Sequence, residues 1–569
     1  MAAFTRLYDR IGRRSAPAVP LTNATPAQRA EVIAISAKVQ DPSLIVDMWQ
    51  VPIPCAEIGI PIGDHYILQG GIISVYAATE GFTTSPTDTP PNQTFGPHLA
   101  EPFNIAVELF PGVEPTGAGR AGAGRMTILD PESVLDSWLN YGWGGRTIDF
   151  IAGAKGTSVN TWATYASLTC DQMTYDTTGK YMQLRDLQFR MYAIEIPHLK
   201  FAGTGGIDGD VTIQGQFVPC CFGRVFNFEP PLINAGNLVY QWHFREVEGI
   251  TAARDGGSPL TFFADYPTYA ALVAATIPAG QYATCNAFGL LRLQTKTTFG
   301  LRIDGKGDKL GGVYVETRAD IAKRLATTIG SLALDPVTNI DAAYFTALNT
   351  VQPGPCGIAI TSSTTIGAVL DEFMAGCGGW GYVSFQGKMR VGRQEVPTVA
   401  DHEFWVVPDL AGEPSISDAP APRRQTTVSY QINWAPQDKA NIAGAVSSGL
   451  RQLYADEASF SAPAQGTDDT VVAGFPAATK VQVKGFYALV DDANAEALRQ
   501  RTMFAIPRRR WRVPMYVNPF RVEFLNSAVA INGMNRLNWG DRKLFRCVGV
   551  ETSGSAEKCI LHLWEGNDP

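Results

Sequence analysis

Charged residues are scarce in this 569-residue sequence: Asp, Glu, Lys and Arg make up 18%, against about 25% in an average globular chain. The balance is acidic, net −8, which argues against a main role in gripping nucleic acid or an anionic membrane, since both need a basic face. Cysteine is sparse and dispersed. There are nine, an odd number, and no CxxC pair, so the usual zinc and Fe–S spacings are absent. Cys220 and Cys221 are adjacent, poor geometry for bonding to each other. The set reads as reduced, mostly buried thiols of a cytoplasmically made protein. The six histidines form neither HExxH nor an HxH pair, and neither GxSxG nor a Walker A loop occurs. No run of about 18 apolar residues predicts a membrane-crossing helix. The first twenty residues, MAAFTRLYDRIGRRSAPAVP, carry positive charge but no apolar core of a secretory signal. No tandem period of 20–50 residues is found.

What is abundant is turn chemistry. With 56 Gly, 37 Pro and 45% hydrophobic residues, the chain has the material for sizeable cores broken by many turns, a bias toward β structure. Its length suits about three or four domains.

Residues 1–43 read as an N-terminal arm. Thr25-Pro26 suits the cap and first position of a short helix carrying Val32, Ile33 and Ile35. From 44 to 236 the pattern is β. GIISVYAA (71–78), FNIAVELF (103–110) and MTILD (126–130) are strand-like, and TGAGRAGAGR (116–125) reads as a glycine loop. YMQLRDLQFRMYAIEI (181–196) reads as a long strand whose apolar phase slips by one at Arg185-Asp186, which predicts a bulge or sharp bend. From 237 to 400 the texture is α+β. Thr317 caps a helix over 317–330. Ile366, Val369, Leu370, Phe373 and Met374 stripe another that stops at Gly376. A hairpin over 380–393 turns at Gln386-Gly387. From 401 to 569 strands return at 425–437, 480–490 and 544–551, with one helix over 491–506 ended by Pro507. The fold class is therefore mainly β with an inserted α+β domain.

Few residues suggest chemistry. Asp130 with Glu132, and Asp371 with Glu372, are carboxylate pairs of the kind a glycosidase holds across a sugar, but acidic neighbours are common and solvated surface groups are the expectation. GTGGIDGD (203–210), with Asp208 and Asp210, and GKGDKLGG (305–312) read as turns rather than cation loops. PRRRWRV (507–513) interleaves arginine with tryptophan, which suits phosphate and base contact. On an acidic chain, inter-subunit ion pairs or a solvated strand face is the expected role. No catalytic, cofactor-binding or metal-binding residue is assigned, and no cofactor is expected.

One stretch has a family likeness. GRMTILDPESVLDSWLNYGWGGRTIDFIAG (124–153) crowds Trp138, Tyr141 and Trp143 around Gly144-Gly145 and leads straight into a strand. It resembles the central hub, or tail-tip, proteins of long-tailed (siphovirus-like) phages and related tail-derived particles, in which a strand, a short helix and an aromatic–glycine turn feed the next strand. LRDLQF (184–189), VSYQINWAPQ (428–437) and MNRLNWGDRKLFRCVGVE (534–551) resemble further family motifs in the same order, so the likeness spans about 44–569. It implies two β-barrel hub domains, 44–236 and 401–569, that repeat as a pseudo-sixfold ring in a homotrimer, with the 237–400 domain inserted between them. It also implies a place at the virion tail tip after synthesis in the bacterial cytoplasm. The implied partners are a distal tail protein above, fibre or spike proteins below and the tape-measure C-terminus in the lumen, with transient passage of DNA and no membrane span. An acidic surface suits such a conduit, because it repels phosphate. The Fe–S cluster of some hubs is not implied, because the cysteines are dispersed. Two other readings stand beside it: a tail-associated cell-wall hydrolase, and a host-surface carbohydrate-binding module using YGWGG (141–145) and CGGWGY (377–382) as an aromatic platform.

Overall fold

Apolar residues at every second position bury one face of a strand and leave the other half-exposed. Thr147–Ala154 follows that rule, with Ile148, Phe150 and Ala152 buried and the residues between them not. The computed structural model describes residues 31–45 and 70–567, apart from positions 102, 115–116, 155, 177–178, 462–468, 518–522, 535–536, 538 and 554–557. It is mainly β, with two curled half-barrel sheets and few helices. The first sheet orders its strands Gly70–Ala78, Glu31–Ile45, Thr147–Ala154, Ala163–Cys170, Gly179–Arg185, Arg125–Ile128 and Leu99–Glu101, with Thr174–Asp176 folded back onto 179–185. Each of these pairings is antiparallel.

Two readings change here. Val32, Ile33 and Ile35 lie in the strand Glu31–Ile45, not in a helix. That strand is hydrogen-bonded on both sides, to 147–154 and 70–78, and such central pairing suits β-branched residues. Thr25-Pro26 falls outside the described residues. The strand expected over 181–196 ends at Arg185, and the phase slip at Arg185-Asp186 is a turn out of the strand, the bend rather than the bulge. The Asp186 carboxylate accepts the Gln188 N–H at 2.6 Å, an Asx turn, and the short helix Phe189–Ala193 follows.

The second sheet runs His402–Trp405, Ala528–Asn532, Arg542–Ser553, Cys559–Glu565, Arg510–Met515 and Ser415–Asp418. Two strands from far upstream complete it. Asn104–Glu108 pairs antiparallel with 549–553, and Arg120–Ala123 pairs with 104–108. The stretch 116–125 is thus not a glycine loop but holds the strands Gly117–Ala118 and Arg120–Ala123. Glycine is needed at 117, where φ is +81° and a Cβ would fall 1.7 Å from the Asp371 carbonyl oxygen. Side chains of both sheets, among them Ile105, Met126, Trp143, Ile148, Trp511, Phe545 and Trp564, share one core.

Residues 220–360 form a separate ten-stranded mixed sheet. GKGDKLGG belongs mostly to its strand Leu301–Leu310, where the Trp242 ring covers Gly305; only Gly311-Gly312 turns, both at positive φ. The helices Arg318–Thr328 and Ile366–Ala375 start at Thr317 and Thr365, whose hydroxyls accept the N–H three residues on. The five stripe residues of the second are all buried. The hairpin of Gly379–Val383 with Met389–Arg393 turns at Gly387, φ +72°. Helix Val490–Phe504 packs on Arg423–Tyr430, which lies parallel to Thr479–Tyr487. Among the described residues, no helix is long and apolar enough to cross a membrane.

Candidate functional site

The aromatic turn is built on one buried carboxylate. Asp130 accepts the Val134 and Leu135 N–H groups at 2.9 and 2.7 Å and pairs with Lys180 at 2.6 Å, its side chain 1% exposed. Burial alone would raise this carboxyl. The Lys180 hydrogen bond and charge and the two backbone donors outweigh burial and hold it below the ordinary value. Asp130 is therefore not a solvated surface group. Its neighbour Glu132 is exposed. The 3₁₀ turn Asp136–Asn140 follows, and the Trp143 indole N–H donates to the Trp138 carbonyl at 2.7 Å, with the two rings 5.7 Å apart. Gly145, at φ +75°, donates to the Cys170 carbonyl, while Cys170 donates back to that of Arg146. The turn is thus bolted to the end of the neighbouring strand and works as a packing device.

It is not an aromatic platform. Trp143 and Trp380 are 0% exposed and Tyr382 is 2%, so neither YGWGG nor CGGWGY offers a tryptophan face to a sugar. The second carboxylate pair is also engaged: Asp371 accepts the Tyr192 hydroxyl and Glu372 pairs with Lys484, both at 2.7 Å. Asp208 accepts the Thr204 hydroxyl within its own turn, and Asp210 accepts the Ala235 N–H from farther along the chain.

A charged seam lies where the 104–108 strand joins the C-terminal sheet. The arginines of PRRRWRV are central to it. Arg510 donates to the Phe110 and Gly112 carbonyls, 3.0 Å each, and reaches Glu108 at 2.9 Å. Arg512 pairs with Glu551 at 2.9 Å, and Glu551 meets His562 Nε2 at 2.7 Å. Arg508 donates to the Met503 and Glu565 carbonyls. Arg508 and Arg510 are buried in bonds within the chain, whereas Arg509 and Arg512 are exposed, so only one face of this run is solvated. Glu108, Glu551 and His562 bring three possible metal-ligand atoms within 4.8 Å of one another, the one such group among the described residues. The two carboxylates already face arginines, which compete with a cation. Burial and the Arg510 charge press His562 below its ordinary value, and the bond to Glu551 offsets this in part. Sequence reasoning missed the group because Glu108 stands on a strand more than 400 residues from the paired strands that carry Glu551 and His562.

A second buried network lies at the ten-stranded sheet. Asp308 is fully enclosed and contacts His243, Arg245 and Arg324. His243 Nδ1 accepts the Cys221 N–H at 3.0 Å, so Nε2 carries the proton toward Asp308. With both ring nitrogens occupied, this histidine is not poised as a base. Arg318 is likewise buried, bonded to the Phe373 and Gly485 carbonyls and stacked on Phe373 and Tyr487. The eight described cysteines are all free and buried. Burial pushes Cys170 and Cys559 up to about 12 and Cys285 up to about 11, so these thiols are poor nucleophiles. Cys55 and His65 lie outside the described residues.

No protein-family model matches the chain, and neither does any curated protein sequence. Solved structures that this chain overlaps include the tail protein from Neisseria meningitidis MC58, at 10% identity and TM-score 0.37, over 83% of this chain and 94% of that one. A second is the 43 kDa tail protein of prophage MuSo2 from Shewanella oneidensis, at 8% identity and TM-score 0.30, over 83% and 95%. The p2 virion baseplate in its activated conformation overlaps 95% of this chain and 100% of its own, at 8% identity and TM-score 0.23.

Proposed function

We propose that this chain is a structural, non-enzymatic hub that closes the distal end of a phage tail tube, joins the distal tail ring to fibres or a spike, and opens for DNA passage. The observation that carries the reading is the presence of two large sheets on one core within the chain. An antiparallel sheet from the N-terminal half and a mixed sheet dominated by the C-terminal half share a core, and the 104–108 strand crosses from the N-terminal half into the second sheet. Three copies of a two-sheet chain supply six such units around one axis, which is what a ring docked on a sixfold tube needs. The resemblance of 124–153 supports the same reading, and there the strand, short helix, aromatic turn and next strand follow in the expected order.

In this reading, residues 44–236, together with the strand Glu31–Ile45 that lies within their sheet, and residues 401–569 build the ring, and 237–400 hangs from it. The tape-measure C-terminus occupies the lumen until receptor engagement opens it. The net charge of −8 keeps passing DNA from adhering. Electron-microscopic class averages of the purified chain test the reading. Six similar lobes around a central hole are expected, and particles with a single two-lobed body overturn it.

A further inference from the structure

The edge of the first sheet carries a cleft of about 250 Å³ that the ring reading does not use. Phe82 and Trp162 form its apolar side, 5.0 Å apart between ring centres. Both are held rigidly. Phe82 stacks on the buried Phe95 at 4.6 Å. The Trp162 indole lies against the backbone of Gly153, where a Cβ would come within 2.3 Å of the ring, and its N–H is tied to Thr157 at 2.9 Å. Both side chains are only partly buried.

The opposite side is polar and uncharged except for one carboxylate. Thr83, Ser85 and Ser158 bring hydroxyls to the rim, and Asp88 sits behind them. Asp88 is 5% exposed and fixed from both ends, by the Ser158 hydroxyl and by the Ser85 N–H at 2.8 Å. The Ser85 hydroxyl and the Val159 N–H also donate to it, so Asp88 serves to orient the rim around it. No lysine or arginine lines the cleft, so nothing there compensates an anion.

We propose that this cleft binds a neutral sugar ring. A pyranose has two faces of C–H groups and a rim of hydroxyls. The first suits the fixed aromatic faces of Phe82 and Trp162; the second suits hydroxyls that both give and accept, backed by an oriented carboxylate. The volume lies below the 300–1,000 Å³ of sites for drug-sized ligands, which fits one ring rather than a chain. A cationic ammonium group is the competing ligand for aromatic rings beside a carboxylate. The three hydroxyls, and the engagement of both Asp88 oxygens with neutral donors, favour the polyol. The proposal is independent of the hub reading, since a ring can carry or lack a sugar site.

The test is saturation-transfer NMR on the full chain, with methyl glycosides of glucose, galactose, mannose, N-acetylglucosamine and N-acetylgalactosamine, and with tetramethylammonium as the cationic probe. At least one glycoside is expected to receive saturation at millimolar concentration. Trp162→Ala and Phe82→Leu are each expected to weaken it by about tenfold or more. Phe82→Leu keeps an apolar contact on Phe95, and the unfolding midpoint of each variant reports whether the fold survives. If Trp162→Ala unfolds, Phe82→Leu alone decides. Transfer to none of the glycosides, transfer to the ammonium probe alone, or glycoside binding unchanged in the folded variants would each overturn the proposal.

Discussion

The carboxylate of Asp308 has no contact with water and three basic partners. Burial alone would raise its pKa; the hydrogen bonds and charges of His243 and Arg245 outweigh burial and hold it below 3.8. Asp308→Ala therefore leaves Arg245 and Arg324 facing a vacancy, and a loss of about 3–5 kcal/mol is expected, read as a lower denaturant midpoint at pH 7. An unchanged midpoint would show that the arginines find other acceptors. His562 gives a pH signature. Burial and the Arg510 charge hold it below the ordinary 6.5, so the folded chain refuses a proton that the unfolded chain accepts. Its contribution is full above pH 6.5 and declines as the pH falls below it. In His562→Gln, whose amide still reaches Glu551, the melting temperature is expected to fall less than the parent's between pH 7.5 and 5.5. Parallel declines would contradict this.

At the scale of elements, the 104–108 strand is the joint between the two halves, and Arg510 fastens it by one carboxylate and two carbonyls. Arg510→Ala is expected to raise amide hydrogen exchange over 104–112 well above that over 148–152, which another pairing holds. Equal protection in variant and parent would mean that the backbone ladder alone suffices. Elements with a strong local signal were legible in the sequence. The stripe at Ile366, Val369, Leu370, Phe373 and Met374 is buried as its spacing requires, the Thr317 cap is in place, and the hairpin turns at Gly387. Elements decided by distant partners were not. Val32, Ile33 and Ile35 become a strand because two other strands flank them. Gly117–Ala118 and Arg120–Ala123 become strands because glycine allows close approach to the helix 366–375 and the 104–108 strand. Arg508 and Arg510 look solvated in sequence and are buried, because their carbonyl and carboxylate partners lie elsewhere in the chain.

For the whole molecule, mainly β architecture with helices in the middle was readable from periodicity and turn residues. The sharing of strands between halves was not, since the pairing of 104–108 with 549–553 spans more than 400 residues and leaves no local mark. The candidate site was readable only in part. The aromatic turn stood out by composition, whereas the Glu108–Glu551–His562 seam and the Phe82–Trp162 cleft arise from strands and loops that meet only in the fold. The central claim, that this two-sheet chain is the repeating unit of a ring, is tested most directly by its mass in solution, measured by light scattering over a concentration series. A plateau at three times the 61.4 kDa of one chain is expected. A mass that stays at one chain across the series would contradict it.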